Sequence, residues 1–262
     1  MSKTTYDRIG TGYDATRAAD PFLAQRLFDL LNAAPGKSII DIGCGTGNYT
    51  GFLAARGLEL TGLDPSERML EQARTKSDAI RWVQGHAEAM PFEDRAFQAA
   101  VATLTLHHWA DLERGLAECG RILQPGARFV VFTSTPEQTG AYWLRHYFPR
   151  MIERSAATLP AEERIIAGAA RSRLELKERV PSSVRPDLQD LFLFARKHQP
   201  FAYLDPEFRK GISSFALLAA GDELDEGLAS LEADIASGQW AKVRDEHEHQ
   251  GGDYLHLVFE RA

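Results

Sequence analysis

A run of apolar, β-branched residues that leads directly into three alternating glycines constrains this chain more than any other feature. The segment reads Ile39-Ile40-Asp41-Ile42-Gly43-Cys44-Gly45-Thr46-Gly47-Asn48. Its first half predicts a buried strand over 38–42, because no polar alternation interrupts the apolar run. The glycines let the backbone turn sharply and leave space for a ligand beside it. A helical pattern follows over 48–56, so its unpaired N–H groups point towards that ligand.

An acidic residue, Asp64, closes the next apolar strand, which is predicted over 58–63. In nucleotide-binding βαβ units, an acidic residue about 20 residues beyond the glycine loop holds a ribose hydroxyl. Dinucleotide sites use the spacing G-x-G-x-x-G, whereas the third glycine here comes one residue early and is followed by Asn48. The spacing therefore disfavours an NAD-linked oxidoreductase, which stays as an alternative.

Further segments follow the glycine loop in a fixed order. They are Gly62-Leu63-Asp64-Pro65-Ser66 with Met69 in the next helix, Gly85-His86-Ala87-Glu88-Ala89-Met90-Pro91-Phe92, Leu106-His107-His108-Trp109, and Arg121-Ile122-Leu123-Gln124-Pro125-Gly126-Ala127. Together with the glycine loop and its preceding Asp41, this series resembles the class I S-adenosylmethionine (SAM)-dependent methyltransferases. The pattern is similar to their small-molecule branch, which includes ubiquinone- and menaquinone-type enzymes. It covers roughly residues 6–135, about half of the chain.

Strands and helices alternate through this half. Strands are predicted at 38–42, 58–63, 80–84, 97–105 and 128–134, with helices near 48–56, 66–75 and 111–123. Such alternation produces a parallel sheet with right-handed crossovers. The resemblance implies an α/β, Rossmann-like sheet of seven strands, mostly parallel with one antiparallel strand. We predict a single methyltransferase domain over 1–262, with a SAM-binding core at 37–135.

The second half of the chain departs from this alternation. Helices are predicted at 139–155 and 161–172, strands at 174–180 and 253–259, and three helices across 186–240. In the resembling fold the sixth and seventh strands form an antiparallel edge pair, yet roughly 70 residues separate them here, far more than a hairpin loop needs. The carboxyl end of the sixth strand opens onto the ligand face of the sheet. We therefore predict that 186–240 is a helical cap; the alternative is a dimer interface.

SAM requires partners for its adenine edge, ribose diol, ammonium and carboxylate. Asp64 suits the diol, because one carboxylate accepts two hydroxyl hydrogens. The resemblance implies that the glycine-loop backbone lies beside the homocysteine portion and that carbonyls near Thr103-Leu104 accept from the ammonium. Arg17, in a Y-D-x-x-R segment that begins at Tyr13, is the candidate for the carboxylate, with a surface arginine as the alternative. The predicted cofactor contacts are Tyr13, Arg17, Asp41, Gly43, Gly45, Gly47, Asp64, Pro65, Met69, His86, Ala87, Glu88, Thr103 and Leu104.

Two of these positions carry open alternatives. Asp41 is predicted mainly to orient the glycine turn, with cofactor contact as a secondary role. His86 stands where the family usually has an aspartate that accepts the adenine amino group. This leaves the Ala87 N–H and Glu88 as candidates for adenine.

Substrate-side residues are harder to assign. His107 follows the fourth strand and is predicted to be a general base or a substrate hydrogen-bond donor, since imidazole titrates near neutrality; the alternative is a loop-fixing role, which we expect for His108. His247 and His249 lie among carboxylates and predict a solvated loop, not a metal site. An aromatic pocket is predicted from some of Tyr142, Trp143, His146, Phe192, Phe194 and Tyr203.

Composition narrows the partners. The net charge of −7 and the absence of a Lys/Arg block argue against a nucleic-acid partner. No stretch approaches the ~20 apolar residues of a membrane helix, and the polar N-terminus predicts no secretory signal. The two cysteines suggest no disulfide, so we predict a cytoplasmic protein. We predict that it is a monomer or a homodimer. We expect it to methylate a small-molecule acceptor with SAM as cofactor; a non-catalytic SAM-binding protein is the alternative.

Overall fold

A computed structural model describes residues 18–219, 221–247 and 249–262. Tyr13 and Arg17, which are predicted to contact SAM, lie outside the described residues, so their roles stay predictions.

A seven-stranded sheet in the order β3-β2-β1-β4-β5-β7-β6 forms the centre of the fold. The strands are β1 (Ser38–Ile42), β2 (Glu59–Asp64), β3 (Arg81–Gln84), β4 (Phe97–Thr103), β5 (Leu123–Thr133), β6 (Leu174–Ser182) and β7 (Tyr254–Arg261). The first five pair in parallel, and β7 runs antiparallel between β5 and β6. The predicted fold class is confirmed. Strand β5 begins earlier than predicted, because Leu123 already pairs with Phe97.

Helices pack on both faces of the sheet. They are α1 (Pro21–Leu31), α2 (Asn48–Ala54), α3 (Glu67–Lys76), α4 (Leu112–Ile122), α5 (Pro136–Gly140), α6 (Leu144–Tyr147), α7 (Pro149–Ala157), α8 (Glu162–Arg171), α9 (Pro206–Lys210), α10 (Ser213–Leu218), α11 (Asp222–Ser237) and α12 (Trp240–Glu246). Short 3-10 turns occupy Leu106–His108 and Pro200–Leu204.

Two apolar cores lie on opposite faces of the sheet. Ile39 and Val130 belong to the core that includes α1 and the segment between β6 and β7, whereas Ile40 and Val131 belong to the core that includes α4 and α8. Successive strand residues point to opposite faces, so a strand buried on both sides reads as a continuous apolar run. This is why the unbroken run at 39–42 predicts a central strand correctly.

The segment between β6 and β7 differs from the three helices predicted over 186–240. Residues 186–199 form turns, and the next stretch is divided into a 3-10 turn, α9 and α10. The carbonyl of Ala195 accepts from the Tyr203 hydroxyl, and the carbonyl of Lys197 accepts from Trp143 Nε1 at 3.0 Å. Tertiary hydrogen bonds therefore replace the helical ones here. The third predicted helix corresponds to α11.

Candidate functional site

A cavity opens at the carboxyl ends of β1, β2 and β4, where ligands bind in open α/β sheets. One part of it, which we call the glycine-loop half, is formed by Asp41–Thr46, Asp64–Ser66, Gly85–Glu88 and Thr103–Thr105. The opposite part, the hydroxyl half, is formed after β5 and between β6 and β7. It comprises Ser134, Thr139, Ser155, Thr158, Leu159, Asp190, Phe192, Leu193, Ser213, Ser214 and Tyr254.

The three glycines of the loop serve different needs. Gly43, Gly45 and Gly47 have φ values of 77°, 54° and 77°, which L side chains rarely adopt. A Cβ on Gly43 would lie 2.0 Å from Thr105 Oγ1, and one on Gly47 would lie 2.4 Å from the Trp82 ring. A Cβ on Gly45 would meet no described atom within 4 Å. The outer glycines therefore allow close packing behind the loop, and Gly45 leaves its front open.

Asp64 is held by the loop it faces. Its Oδ2 accepts from the Gly45 N–H at 2.9 Å and its Oδ1 accepts from the Ser66 N–H at 2.8 Å. A carboxylate offers about four acceptor positions. Two backbone donors thus orient Asp64 in the wall of the cavity that it lines.

Asp41 lies at the end of β1, is 2% exposed and lines the cavity. Its Oδ2 accepts from Thr50 Oγ1 at 2.6 Å, which ties β1 to α2. Its Oδ1 finds no hydrogen-bond partner among the described residues. Burial raises the pKa of Asp41 from 3.8 to about 7; the Thr50 bond opposes this shift and the nearby charge of Asp64 adds to it.

The remaining described candidates for cofactor contact also line the cavity, except for Gly47. Pro65 and Met69 lie after β2, and Thr103 and Leu104 lie at the end of β4. Thr103 Oγ1 is buried and has no hydrogen-bond partner in the described part of the chain. Leu104 has a φ of 51°, an uncommon and strained backbone conformation for a large side chain. Strain of this kind is often found at ligand sites.

The predicted adenine loop is fixed by its own backbone. The Ala89 N–H donates to the His86 carbonyl at 3.1 Å, which closes a tight turn. Glu88 Oε1 accepts from the Asp111 N–H at 3.2 Å and so helps hold the start of α4. Glu88 therefore has a structural partner as well as a place in the cavity wall.

His107 lies in the 3-10 turn after β4, is half-buried and lines the cavity. The His108 ring lies 3.8 Å from it between centroids, is more exposed and also reaches the cavity. The structure thus brings His107 together with the glycine-loop residues, and its catalytic role stays a prediction.

The hydroxyl half contains residues that the sequence does not reveal. Ser155 on α7 and Ser214 on α10 meet with their hydroxyl oxygens 3.0 Å apart, although 59 positions separate them. Asp190 accepts from the Tyr49 hydroxyl at 3.0 Å across 141 positions. No local motif marks such pairs, because long-range folding alone brings them together.

The predicted aromatic pocket is mostly a packed cluster. Of the six candidates, Phe192 lines the cavity, whereas His146 is exposed. The Tyr142 and Tyr203 hydroxyls hydrogen-bond at 2.6 Å, and Trp143 packs edge-on against Tyr203 at 5.4 Å. Burial holds the pKa of Tyr142 well above its usual value. These rings support the segment between β6 and β7 and do not face a ligand.

Four carboxylates and three histidines line the cavity, together with Cys44, Tyr49 and Tyr254. The carboxylates are Asp41, Asp64, Glu88 and Asp190, and no Lys or Arg is found among the described lining residues. A ligand that carries positive charge therefore suits this wall better than an anionic ligand does.

Outside the cavity, His247 Nδ1 lies 2.8 Å from the Val243 carbonyl, and His249 Nδ1 lies 3.2 Å from that of Gly252. In the described ranges, no group of three or more His, Cys, Asp or Glu side chains could hold a metal ion. No described helix has the length and apolarity to cross a bilayer.

Comparisons with known proteins agree with this geometry. Residues 40–131 match the methyltransferase domain family. A putative methyltransferase from an antibiotic biosynthesis pathway of Anabaena variabilis ATCC 29413 shares 32% sequence identity and superposes with a TM-score of 0.83 over 94% of this chain and 99% of that one.

Two curated relatives match shorter regions. Demethylmenaquinone methyltransferase of Thermus thermophilus is 37% identical over 51% of this chain and 64% of its own length. Malonyl-[acyl-carrier protein] O-methyltransferase of Serratia marcescens is 32% identical over 50% of this chain and 51% of its own length. The chain thus spans between half and two thirds of each of these relatives.

Proposed function

Because this chain belongs to the class I SAM-dependent methyltransferases, we propose that it transfers the methyl group of SAM to a small organic acceptor and releases S-adenosylhomocysteine. The observation that carries the proposal is the continuity of one cavity. The same cavity runs from the glycine loop and Asp64 to the hydroxyls of α7 and α10. A donor in one half and an acceptor in the other would therefore lie side by side.

The residues of the glycine-loop half fit SAM. Gly45 leaves open space against the backbone, and Asp41 Oδ1 and Thr103 Oγ1 are buried polar atoms that lack described partners. Buried polar groups are normally hydrogen-bonded, so these two atoms are suited to polar atoms of a ligand. The carboxylate-rich wall also suits a cofactor that carries a sulfonium and an ammonium.

Each part of SAM has a candidate partner. Asp64 would hold the ribose diol, the loop 43–47 would lie beside the homocysteine portion, and carbonyls at Thr103 and Leu104 would accept from the ammonium. The loop 86–88 would contact adenine through backbone groups at least as much as through a carboxylate. When bound, SAM supplies a methyl group that its sulfonium already activates for attack.

The protein's own contribution is then chiefly positioning. Holding the acceptor atom in line with the methyl group converts a bimolecular step into an effectively unimolecular one. The segment between β6 and β7 reaches the cavity through Asp190, Phe192 and Ser214. We propose that this segment excludes water from the site, which strengthens its electrostatics.

His107 is the candidate to accept a proton from the acceptor or to hydrogen-bond it. His107→Gln would keep a polar side chain but lose titration near neutrality. If His107 is a general base, the variant should lose the acidic limb of the pH–rate profile while SAM affinity stays unchanged. An unaltered profile would leave the histidine with a loop-fixing role.

The identity of the methyl acceptor cannot be inferred from the curated relatives. Their names give demethylmenaquinone and malonyl-[acyl-carrier protein] as different acceptors, and the family match ends at residue 131, before the hydroxyl half begins. We propose a compact organic molecule, since the cavity lies between the sheet and the segment that joins β6 to β7.

Calorimetric titration with SAM, S-adenosylhomocysteine and NAD tests the cofactor. SAM and its product should bind and NAD should not. Asp64→Ala should weaken SAM binding by about 1.5–3 kcal/mol, the scale of a hydrogen bond to a charged group, whereas the exposed carboxylate variant Glu71→Ala should bind normally. NAD binding without SAM binding would overturn the proposal. SAM binding without product release from any acceptor would instead favour a non-catalytic SAM-binding protein.

A further inference from the structure

We infer that the hydroxyl half of the cavity selects an uncharged acceptor and that the Ser155–Ser214 pair recognises a hydroxyl or carbonyl oxygen on it. This inference rests on the proposed methyl transfer and adds the chemical class of the acceptor.

Two helices that are distant in sequence bring Ser155 and Ser214 together. Ser155 comes from α7 and Ser214 from α10, and the two side chains are 9% and 7% exposed. Their oxygens lie 3.0 Å apart and both residues line the cavity. Two elements that are distant in sequence thus place two hydroxyls at one point of the wall.

Counting donors shows that the pair has spare hydrogen-bonding capacity. Each serine hydroxyl carries one donor hydrogen and two acceptor lone pairs. The bond between Ser155 and Ser214 uses one of the two hydrogens, and no further hydrogen bond to either hydroxyl is formed within the described residues. One O–H hydrogen and several lone pairs are therefore available to a ligand. A buried donor without a partner is costly, so an acceptor oxygen at this point would be stabilised.

The second hydroxyl pair of this half provides a contrast. Ser134 Oγ lies 3.1 Å from Thr139 Oγ1 and also donates to the Asp253 carbonyl at 3.1 Å. Both hydrogens of that pair can be satisfied within the protein. Of these two buried pairs, the Ser155–Ser214 pair is the one that keeps a spare donor.

The charge of the described wall disfavours an anionic acceptor. The described lining contains four carboxylates, Asp41, Asp64, Glu88 and Asp190, and neither Lys nor Arg. A carboxylate or phosphate that entered would lose its water without gaining a described cation and would be repelled by like charges. The same wall imposes no such penalty on a neutral oxygen.

Apolar side chains complete the site. Phe192, Leu193 and Leu159 line the same half of the cavity as the serine pair. Pockets for small molecules usually combine apolar walls with a few placed polar groups. This combination suits an uncharged organic molecule with one polar edge, such as a phenol, an alcohol or a ketone.

The test uses the full chain saturated with S-adenosylhomocysteine and a panel of phenols, alcohols and ketones, each matched to its carboxylated analogue. Catechol and 3,4-dihydroxybenzoate form one such pair. Ligand-observed NMR and calorimetry measure binding. We expect uncharged members to bind and their carboxylated analogues to bind about tenfold or more weakly, a difference of about 1.4 kcal/mol.

Variants separate the two parts of the inference. The double variant Ser155→Ala/Ser214→Ala should weaken binding of the uncharged members about 2- to 10-fold, with S-adenosylhomocysteine affinity unchanged. Either single variant should bind them nearly as well as the unmodified protein, because the remaining serine keeps one free O–H hydrogen. Ser237→Ala, on α11 outside the cavity lining, is the matched control. Leu193→Lys should narrow or reverse the preference against carboxylated analogues, and Leu193→Met should not.

The outcomes distinguish this inference from the proposed function. If the unmodified protein does not bind S-adenosylhomocysteine, the proposed function itself is contradicted. Normal product binding together with equal or tighter binding of the carboxylated analogues, or with no uncharged member bound, would overturn the inference alone. If the double serine variant binds the uncharged members as tightly as the unmodified protein does, the serine pair is not the recognition element.

Discussion

The glycine-loop half and the hydroxyl half of the cavity are built in different ways. In the first, Asp64 is held by the backbone N–H groups of Gly45 and Ser66, so residues close to β1 and β2 build the site. In the second, Ser155 and Ser214 meet only because α7 and α10 pack together. Under the proposed function, the locally built half would hold SAM, whereas the half built by long-range packing would hold the acceptor.

The two halves are nevertheless joined. The Tyr49 hydroxyl, on the helix after the glycine loop, donates to Asp190 at 3.0 Å. Asp20 caps α1 through the Leu23 N–H at 2.9 Å and also accepts from the Gln189 N–H at 3.1 Å. Variants that disturb one half show whether these hydrogen bonds transmit the disturbance to the other half.

The largest effect is expected from Gly43→Ala. Its Cβ would lie 2.0 Å from Thr105 Oγ1 at a φ of +77°. The backbone conformation costs about 1–2 kcal/mol and overpacking a further 1–3 kcal/mol, so we expect unfolding in urea to show a loss of about 4 kcal/mol. SAM affinity should fall as well.

Gly36→Ala is the matched control for Gly43→Ala. Gly36 has a φ of +78° but no described atom within 4 Å of the added Cβ. It should show only the backbone cost of about 1–2 kcal/mol and normal SAM binding. Equal losses at the two glycines would mean that the contact with Thr105 is unimportant.

A pH-dependent effect is expected from Asp41→Asn. Burial raises the pKa of Asp41 from 3.8 to about 7, so between these values the folded protein holds a proton that the unfolded chain releases. The free energy of unfolding of the wild type therefore falls as the pH rises from about 4 to 7, by up to about 4 kcal/mol from this group. Without SAM, the difference between wild type and variant should follow that decline.

The control for this measurement is Asp29→Asn, an exposed aspartate on α1. Urea unfolding at several pH values provides the curves for both variants. Parallel curves for wild type and Asp41→Asn would show that Asp41 does not take up a proton on folding in this range.

The hydroxyl half should respond most strongly to Lys197→Met. Lys197 Nζ lies 2.6 Å from Asp253 Oδ1 in a pair that is 14% and 7% exposed, and Asp253 also accepts from the Val184 N–H. Removing the lysine leaves a buried, uncompensated carboxylate, which costs about 3 kcal/mol. Hydrogen exchange should show lost protection over 183–253, with the glycine loop unaffected.

Adding Asp253→Asn to Lys197→Met should recover part of that stability, because the buried charge is then gone. If the double variant is no more stable than Lys197→Met, the unpaired charge of Asp253 is not the cause of the lost stability. Lost protection in the glycine loop as well would mean that the disturbance is transmitted between the two halves.

The smallest effect is expected from Lys76→Met in the glycine-loop half. Lys76 Nζ donates to the Thr46 carbonyl at 3.0 Å and to Asn48 Oδ1 at 2.8 Å. Losing these contacts of an exposed lysine should loosen the loop and weaken SAM binding by about 1 kcal/mol. Arg74→Met on the same helix removes a pair with Glu67 instead and should leave calorimetric SAM affinity unchanged. The same change in both variants would point to a general effect of charge.

Local patterns in the sequence predicted much of the fold. The strand at 39–42, the glycine loop, Asp64 and the alternating last strand all depend on neighbouring residues, and the structure places them as expected. The helix predicted within 186–199 was wrong, because backbone carbonyls there accept from Tyr203 and Trp143. Propensity carries no information about partners that folding brings from elsewhere.

Short-range spacing of glycine, acidic and apolar residues encodes the α/β sheet, the family and the glycine-loop half of the cavity, so all three can be predicted from local patterns. Tertiary packing, in contrast, built the hydroxyl half. It placed Ser155 against Ser214 and Tyr49 against Asp190, and it turned five of six candidate pocket residues away from the cavity. The physical reason is that a hydrogen bond between residues 59 or 141 positions apart depends on how whole elements pack, which no local pattern records.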